Sequence, residues 1–288
     1  MDLKRILHPG PTQNHKQLPA SGRAGRNLPA ATAVGVTLAA IAVGTLIFSP
    51  LAFFLLIVAF VVVALWELAG AFARQNREII LAPTWVGAIG MLVCARYLGS
   101  EAILAALALT VTAVTFWKLL DRSIMQVLPD VMVTIFALMY VPGLAAFVVL
   151  LQSTTAGWVA VLIYIALAVA NDLGGWLAGI MWGKHPMAPR ISPKKSWEGF
   201  AGSYALSAAV GIPGMIWMGG AWWWGLILAA LTTIAATTGD LVESLIKRDV
   251  GLKDMSNLLP GHGGIMDRMD SLLMVAPMMY LIVAVALP

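Results

Sequence analysis

The sequence predicts an all-α integral membrane protein, and three observations lead there. Of 288 residues, 60% are hydrophobic and 11% are charged, and the mean hydropathy is +0.87. A water-soluble domain carries about a quarter charged residues, so a chain this apolar cannot hide its surface in one core and uses lipid as part of its solvent. The apolar residues fall in runs close to the roughly 20 residues that a spanning helix needs. The basic residues cluster in alternate gaps between those runs, the bias that orients membrane proteins.

The first 27 residues are polar, with Pro9, Pro11 and Pro19 among scattered cations. They are too long for the charged start of a signal peptide and show no small-residue cleavage site, so a flexible cytoplasmic tail is expected over 1–27. Its Lys4, Arg5, Lys16, Arg23 and Arg26 orient the chain and are suited to anionic lipid. Nine spans follow, at 28–48, 51–72, 79–98, 102–120, 128–151, 157–182, 200–219, 222–240 and 271–287, with tight junctions near Pro50, Gly99 and Gly220. With the tail in the cytoplasm, alternation puts 17 of the 18 basic residues on that side and leaves Arg96 outside. The amino terminus is therefore expected inside and the carboxyl terminus outside. The Trp222-Trp223-Trp224 run suits an interfacial belt at the outer face. The single Cys94 excludes a disulfide framework and a thiolate metal cluster.

Two cytoplasmic segments, 183–199 and 241–270, are much longer than the other connections, and chemistry is expected there and at the helix ends feeding them. From Gly239 to Ser271 the apolar pattern is broken by Asp240, Glu243, Asp249, Asp254, Asp267 and Asp270, interleaved with Lys247, Arg248, Lys253 and Arg268. A solvated face has the same composition. Asp240, however, closes an apolar span, where an ionised carboxylate is costly and usually faces a site. Asp267 and Asp270 share a helical face just before the last span. Carboxylates at two helix ends suit Mg²⁺, which prefers carboxylate and phosphate oxygens. Pro260-Gly261-His262-Gly263-Gly264 is a turn whose backbone N–H groups suit an anion, although turns use Gly and Pro everywhere.

The run Ser244-x-Ile246-Lys247-Arg248, Lys253-Asp254, Leu259-Pro260-Gly261-His262-Gly263-Gly264 and Asp267-Arg268-x-Asp270 resembles the signature of the phosphatidate cytidylyltransferase family. About ten positions match over 27 residues. Upstream, Asn171-Asp172 sits late in the sixth expected span. Gly175, Gly179 and Gly183 follow as a smooth stripe for close helix packing. Pro189-Arg190-Ile191-Ser192-Pro193-Lys194-Lys195-Ser196-Trp197-Glu198-Gly199 is similar to the family's second loop, with Ser196 where Thr is commoner. The resemblance covers about residues 170–271; the first five spans match only in being hydrophobic.

The resemblance implies that CTP and phosphatidic acid are the partners, that CDP-diacylglycerol and pyrophosphate are the products, and that Mg²⁺ is the cofactor. Residues 28–156 are then amino-terminal transmembrane helices and 157–288 the catalytic transmembrane region, in a bacterial cytoplasmic membrane with the site facing the cytoplasm. Asp240 and Asp267 are the first choices as metal ligands, with Asp270 and Asp172 as further ones; Asp254 orients basic residues or adds an outer ligand. Asp172 reads equally well as a buried polar group bonded to a neighbouring helix. Lys247 and Arg268 join Asp240 and Asp267 as catalytic groups. Ser192, Lys194, Lys195, Arg248, Lys253, His262, Gly263 and Gly264 are expected to bind substrate. The bland reading of the cations is orientation alone. No nucleic-acid partner is expected. Spans rich in Gly and Ala suit a homodimer as well as packing within one subunit.

Other classes fit less well. A transporter would carry acids within paired broken helices, and these acids sit at span ends. A CDP-alcohol phosphotransferase would show an Asp-Gly pair and further acids at four-residue spacing, which are absent. A polyprenol kinase would release CDP in place of pyrophosphate. A bare scaffold has no need of clustered acids and glycines.

Overall fold

The computed structural model describes residues 9–12, 28–120, 126–259 and 263–287. Its helices are α1 (Leu28–Phe48), α2 (Pro50–Phe72), α3 (Leu81–Tyr97), α4 (Ser100–Leu119), α5 (Val127–Leu138) and α6 (Leu144–Gln152). They continue with α7 (Gly157–Trp182), α8 (Trp197–Trp217), α9 (Trp222–Asp249) and α10 (Met266–Ala286). Among the described residues, seven helical stretches are long and apolar enough to cross a membrane: Pro50–Gln75, Ser100–Leu119, Val127–Gln152, Gly157–Trp182, Trp197–Trp217, Trp222–Asp249 and Met266–Ala286. Two shorter apolar helices, Val34–Phe48 and Leu81–Tyr97, occupy the remaining expected positions. The protein is an all-α integral membrane protein, as its composition predicts.

Local chemistry explains the element boundaries. Ser49 caps α2, its Oγ accepting from Ala52 N–H at 3.2 Å, and Pro50 stands at the first helical position, where its missing N–H costs nothing. Gly99 turns the chain into α4 at φ +89°, a conformation that disfavours side chains. Pro142 lies inside the stretch from Val127 to Gln152, where it cannot donate to the helix ladder. The helix passes it through a π-turn at Met139–Gly143 and resumes as α6.

The chain divides into two compact units. The first comprises Met1–Val149 and Asp249–Arg268, the second Leu150–Arg248 and Met269–Pro288. In the first, Val61, Ala64, Leu65 and Leu68 of α2 are buried, and Phe72 meets Phe136 edge-on at 6.3 Å. Lys118, counted above as an orienting charge, is buried and bridges Glu78 at 2.7 Å and Asp130 at 2.9 Å. Arg96 donates to Pro50 O and lies over the rings of Phe54 and Tyr97. The carboxyl end of α2 collects distant backbone. Gly70 O accepts from Thr12 N–H at 3.0 Å, and Arg74 donates to Thr12 O at 2.6 Å and Val250 O at 2.8 Å. Residues 9–12 of the expected flexible tail are therefore held against α2.

The second unit is built on glycine. Along α7, Gly174 and Gly175 meet Gly199, Gly202 and Ser203 of α8 so closely that a Cβ on Gly175 would lie 2.7 Å from Ser203 Oγ. A Cβ on Gly174 would overlap Gly202 O. Backbones in such contact gain packing without side-chain entropy cost, a common device between membrane helices. The segment linking α7 to α8 is a hairpin. Strands β1 (Pro186–Ala188) and β2 (Ser192–Ser196) pair antiparallel, with Pro186 opposite Ser196, Ala188 opposite Ser192 and an irregularity between. These are the only named strands among the described residues. Glu198 ties the hairpin's base, accepting from Lys184 N–H and His185 N–H at 3.2 Å and contacting His185 Nδ1 at 2.5 Å.

Candidate active site

In the second unit a cavity of about 260 Å³ opens between α7, the hairpin, α8 and α9. Its wall includes Asp172, Lys194, Lys195, Ser203, Thr237 and Asp240. The glycine contacts shape it, because bulkier residues at Gly175 or Gly199, both in its lining, would fill the space. Lys195 forms an ion pair with Asp240, whose side chain keeps 38% exposure. Asp240 is also in hydrogen-bonding contact with Asp270. That meeting depends on Gly239: a Cβ there would overlap Asp270 O, so only glycine lets α10 approach this closely. Glu243, one turn along α9, is buried and bonds Lys247 Nζ at 2.6 Å. Behind the wall, Ser203 Oγ–H donates to Asn171 O at 2.6 Å, and buried Asn171 Oδ1 has no hydrogen-bond partner among the described residues.

In the first unit residues 255–256 and 264–266 hold two buried carboxylates. Asp267 Oδ2 accepts from Met255 N–H and Gly264 N–H, each at 2.8 Å. Glu67, on α2, accepts from Ser256 Oγ–H at 2.5 Å, Ile265 N–H at 2.9 Å and Met266 N–H at 2.7 Å. Leu259 and Gly263 exchange backbone hydrogen bonds, at 2.9 and 3.1 Å. The opening of α10 is thus satisfied by anions, which the positive end of a helix favours.

The expected site residues fall into both units. Asp172, Lys194, Lys195 and Asp240 gather on the cavity, Asp270 reaches Asp240, and Lys247 pairs with Glu243. Ser192 stands at the start of β2, and Arg248 is exposed near the end of α9. Asp267, Arg268, Lys253, Gly263 and Gly264 belong to the first unit. Lys253 is exposed, and the half-buried Arg268 has no hydrogen-bond partner at Nε among the described residues. His262, with Pro260 and Gly261, lies outside the described residues.

Two expectations need correction. Gly263 and Gly264 do not present open N–H groups, because Leu259 O and Asp267 Oδ2 already accept them. Asp172 is not buried; it is exposed on the cavity, and its neighbour Asn171 is the buried one. Sequence reasoning also passed over Glu67. Its signal was present, since a lone acid in an otherwise apolar span is a site candidate by default.

Among the described residues no group of three or more His, Cys, Asp or Glu is placed to hold a metal ion. The touching carboxylates of Asp240 and Asp270, with Asp172 on the same cavity wall as Asp240, fit a different design. Mg²⁺ commonly takes one or two carboxylates and completes its octahedron with substrate phosphates and water. The donor set fits a cation shared with a polyphosphate.

Residues 29–286 match the profile described as "Cytidylyltransferase family". A Mycobacterium leprae protein named phosphatidate cytidylyltransferase is 36% identical, over 94% of this chain and 90% of its own length. Proteins of the same name from Mycobacterium bovis and Mycobacterium tuberculosis H37Rv are each 34% identical over 91% of this chain, and the matches cover 91% and 85% of their lengths.

Proposed function

The chain belongs to the cytidylyltransferase family, and on that premise we propose that it transfers the cytidylyl group of CTP to phosphatidic acid, yielding CDP-diacylglycerol and pyrophosphate. The observation that carries this reading is the cavity in which two lysines face Asp172 and Asp240, a lining suited to a metal-bound polyphosphate. A phosphate oxygen of phosphatidic acid attacks the α-phosphorus of CTP. One P–O bond forms, the bond to the β-phosphate bridging oxygen breaks, and pyrophosphate leaves with the electron pair. The attacking phosphomonoester has a second pKa of about 6 and is already largely ionised at neutral pH, so no side-chain base is required. Positioning and neutralisation of charge carry the catalysis.

Lys194 and Lys195 contact phosphates from the hairpin, Lys195 exchanging Asp240 for substrate oxygens, and Ser192 adds a hydroxyl. Arg268, Arg248 and Lys253 supply further cations, an arginine being suited to bidentate phosphate contact. Lys247 and Glu243 hold each other so that the acid beside Asp240 stays neutralised. Mg²⁺ held by Asp240 and Asp270, with Asp172 as a further ligand, would offset the charge of the triphosphate and of the leaving pyrophosphate. The same reading places this chemistry at the cytoplasmic membrane surface, with the amino terminus inside and nine crossings, because CTP is soluble and phosphatidic acid stays in the bilayer.

The test is pyrophosphate release by purified protein with CTP, phosphatidic acid and Mg²⁺. Release that needs both substrates, with CDP-diacylglycerol formed, is the expected outcome. CDP in place of pyrophosphate would point to a kinase, and turnover without lipid would remove phosphatidic acid from the reading.

A further inference from the structure

Glu67 is 1% exposed on a long apolar helix. Burying a carboxylate there is costly unless hydrogen bonds compensate. Its three donors lie between 189 and 199 residues further along the chain. Nothing in apolar packing calls for such a group, since a leucine or methionine would fill the volume without the desolvation cost.

The bonds are specific in what they fix. Glu67 Oε1 receives Ser256 Oγ–H and Ile265 N–H, while Oε2 receives Met266 N–H. Met266 opens α10 and directly precedes Asp267 and Arg268. Gly264 leaves the room for this contact, because a Cβ on it would lie 2.6 Å from both Glu67 oxygens. On the far side of that glycine, Asp267 closes the loop onto Met255. A carboxylate from α2 thus sets the backbone direction of the turn carrying Asp267 and Arg268.

We propose that Glu67 is a positioning residue for nucleotidyl transfer, fixing Ser256, Ile265 and the start of α10 and, with them, the backbone that carries Arg268, a proposed phosphate contact. This rests on the cytidylyl-transfer reading above. Glu67 itself touches neither substrate. Its contribution is the geometry of groups that do, and supporting contacts of this kind are worth about 10- to 100-fold in activity.

The experiment compares Glu67→Gln and Ser256→Ala with wild type, measuring kcat and KM for CTP together with amide hydrogen exchange over 255–266 and over α3. In Glu67→Gln an N–H₂ faces the Met266 N–H. The expected result is kcat down about 10- to 100-fold, faster exchange in the loop alone, and unchanged protection of α3. Ser256→Ala removes one donor without disturbing α2, and a smaller loss in the same direction is expected. Glu67→Gln with wild-type kcat and loop exchange overturns the proposal. So does activity lost only in step with protection throughout the protein. Should Glu67→Gln not fold, Ser256→Ala decides: loosening of the loop with a lower kcat supports the proposal, and no change in either overturns it. Wild-type protein that releases no pyrophosphate would sink the cytidylyl-transfer reading, while loop exchange would still report on Glu67.

Discussion

Asp240 and Asp267 carry the same carboxylate on two helices of an apolar chain, yet they have opposite surroundings. Asp240 ends among side chains, with Lys195 and Asp270 as partners, on an open cavity. Asp267 is buried and ends among backbone amides, those of Met255 and Gly264. A carboxylate among mobile charged side chains can exchange its partners for a cation or a substrate. One that satisfies buried amides cannot leave them without exposing groups that cost about 1–3 kcal/mol each. The same residue type can therefore change partners in one unit and is fixed by backbone in the other. Proximity to the signature does not tell them apart; their partners do.

Asp240→Asn is the strongest test of that contrast. It should lower kcat by about 10²- to 10³-fold, the scale of losing one preorganised electrostatic contact. Its melting temperature should stay near wild type, because half-exposed ion pairs contribute about 0–1 kcal/mol. Equal losses of activity and stability would erase the contrast. Asp267→Asn should instead lose stability by about 1–3 kcal/mol, visible as a lower melting temperature, with activity falling alongside. An Asp267→Asn protein that melts like wild type would move Asp267 into the class of Asp240. Lys195→Ala should raise KM for CTP about tenfold, the scale of one hydrogen bond to a charged group, with little change in melting. Glu198→Gln should be the mildest, with a melting temperature close to wild type, since its partner His185 is largely exposed. A larger loss there would show that the hairpin's base is more than a surface tether.

The sequence reads well where polarity interrupts hydrophobicity. The helical membrane class follows from the spans, and the cations and acids of 183–199 and 239–271 stand out because an apolar chain tolerates few of them. The partners of those charges are less legible. A period of 3.6 puts Asp267 and Asp270 on one face but does not say which of them reaches α9. The close approach at Gly239 decides for Asp270. Glu67 was visible as a lone acid, but its donors are mostly backbone N–H groups, which every residue but proline owns and no spacing encodes. The hairpin at 186–196 holds Pro189 and Pro193, which make it read as a loop. Its strands are short and tied by Glu198, a contact settled only once α7 and α8 are packed.

The glycine contacts have a consequence for how this chain tolerates change. At Gly174 and Gly239 the nearest neighbour of a new methyl group would be a backbone carbonyl, and at Gly202 it would be Ala178 Cβ with Gly174 O beside it, none of which can rotate aside as a longer side chain can. Forcing atoms into such a seam costs about 1–3 kcal/mol per site, as overpacking does elsewhere. A complete substitution survey would therefore show two overlaid patterns. Cavity charges would be intolerant because of what they bind, and a helical ladder of glycines would be equally intolerant because of how closely it lets helices approach. Replacement by alanine separates them: a cavity charge such as Asp240 loses turnover and keeps its fold, whereas a seam glycine loses its fold first.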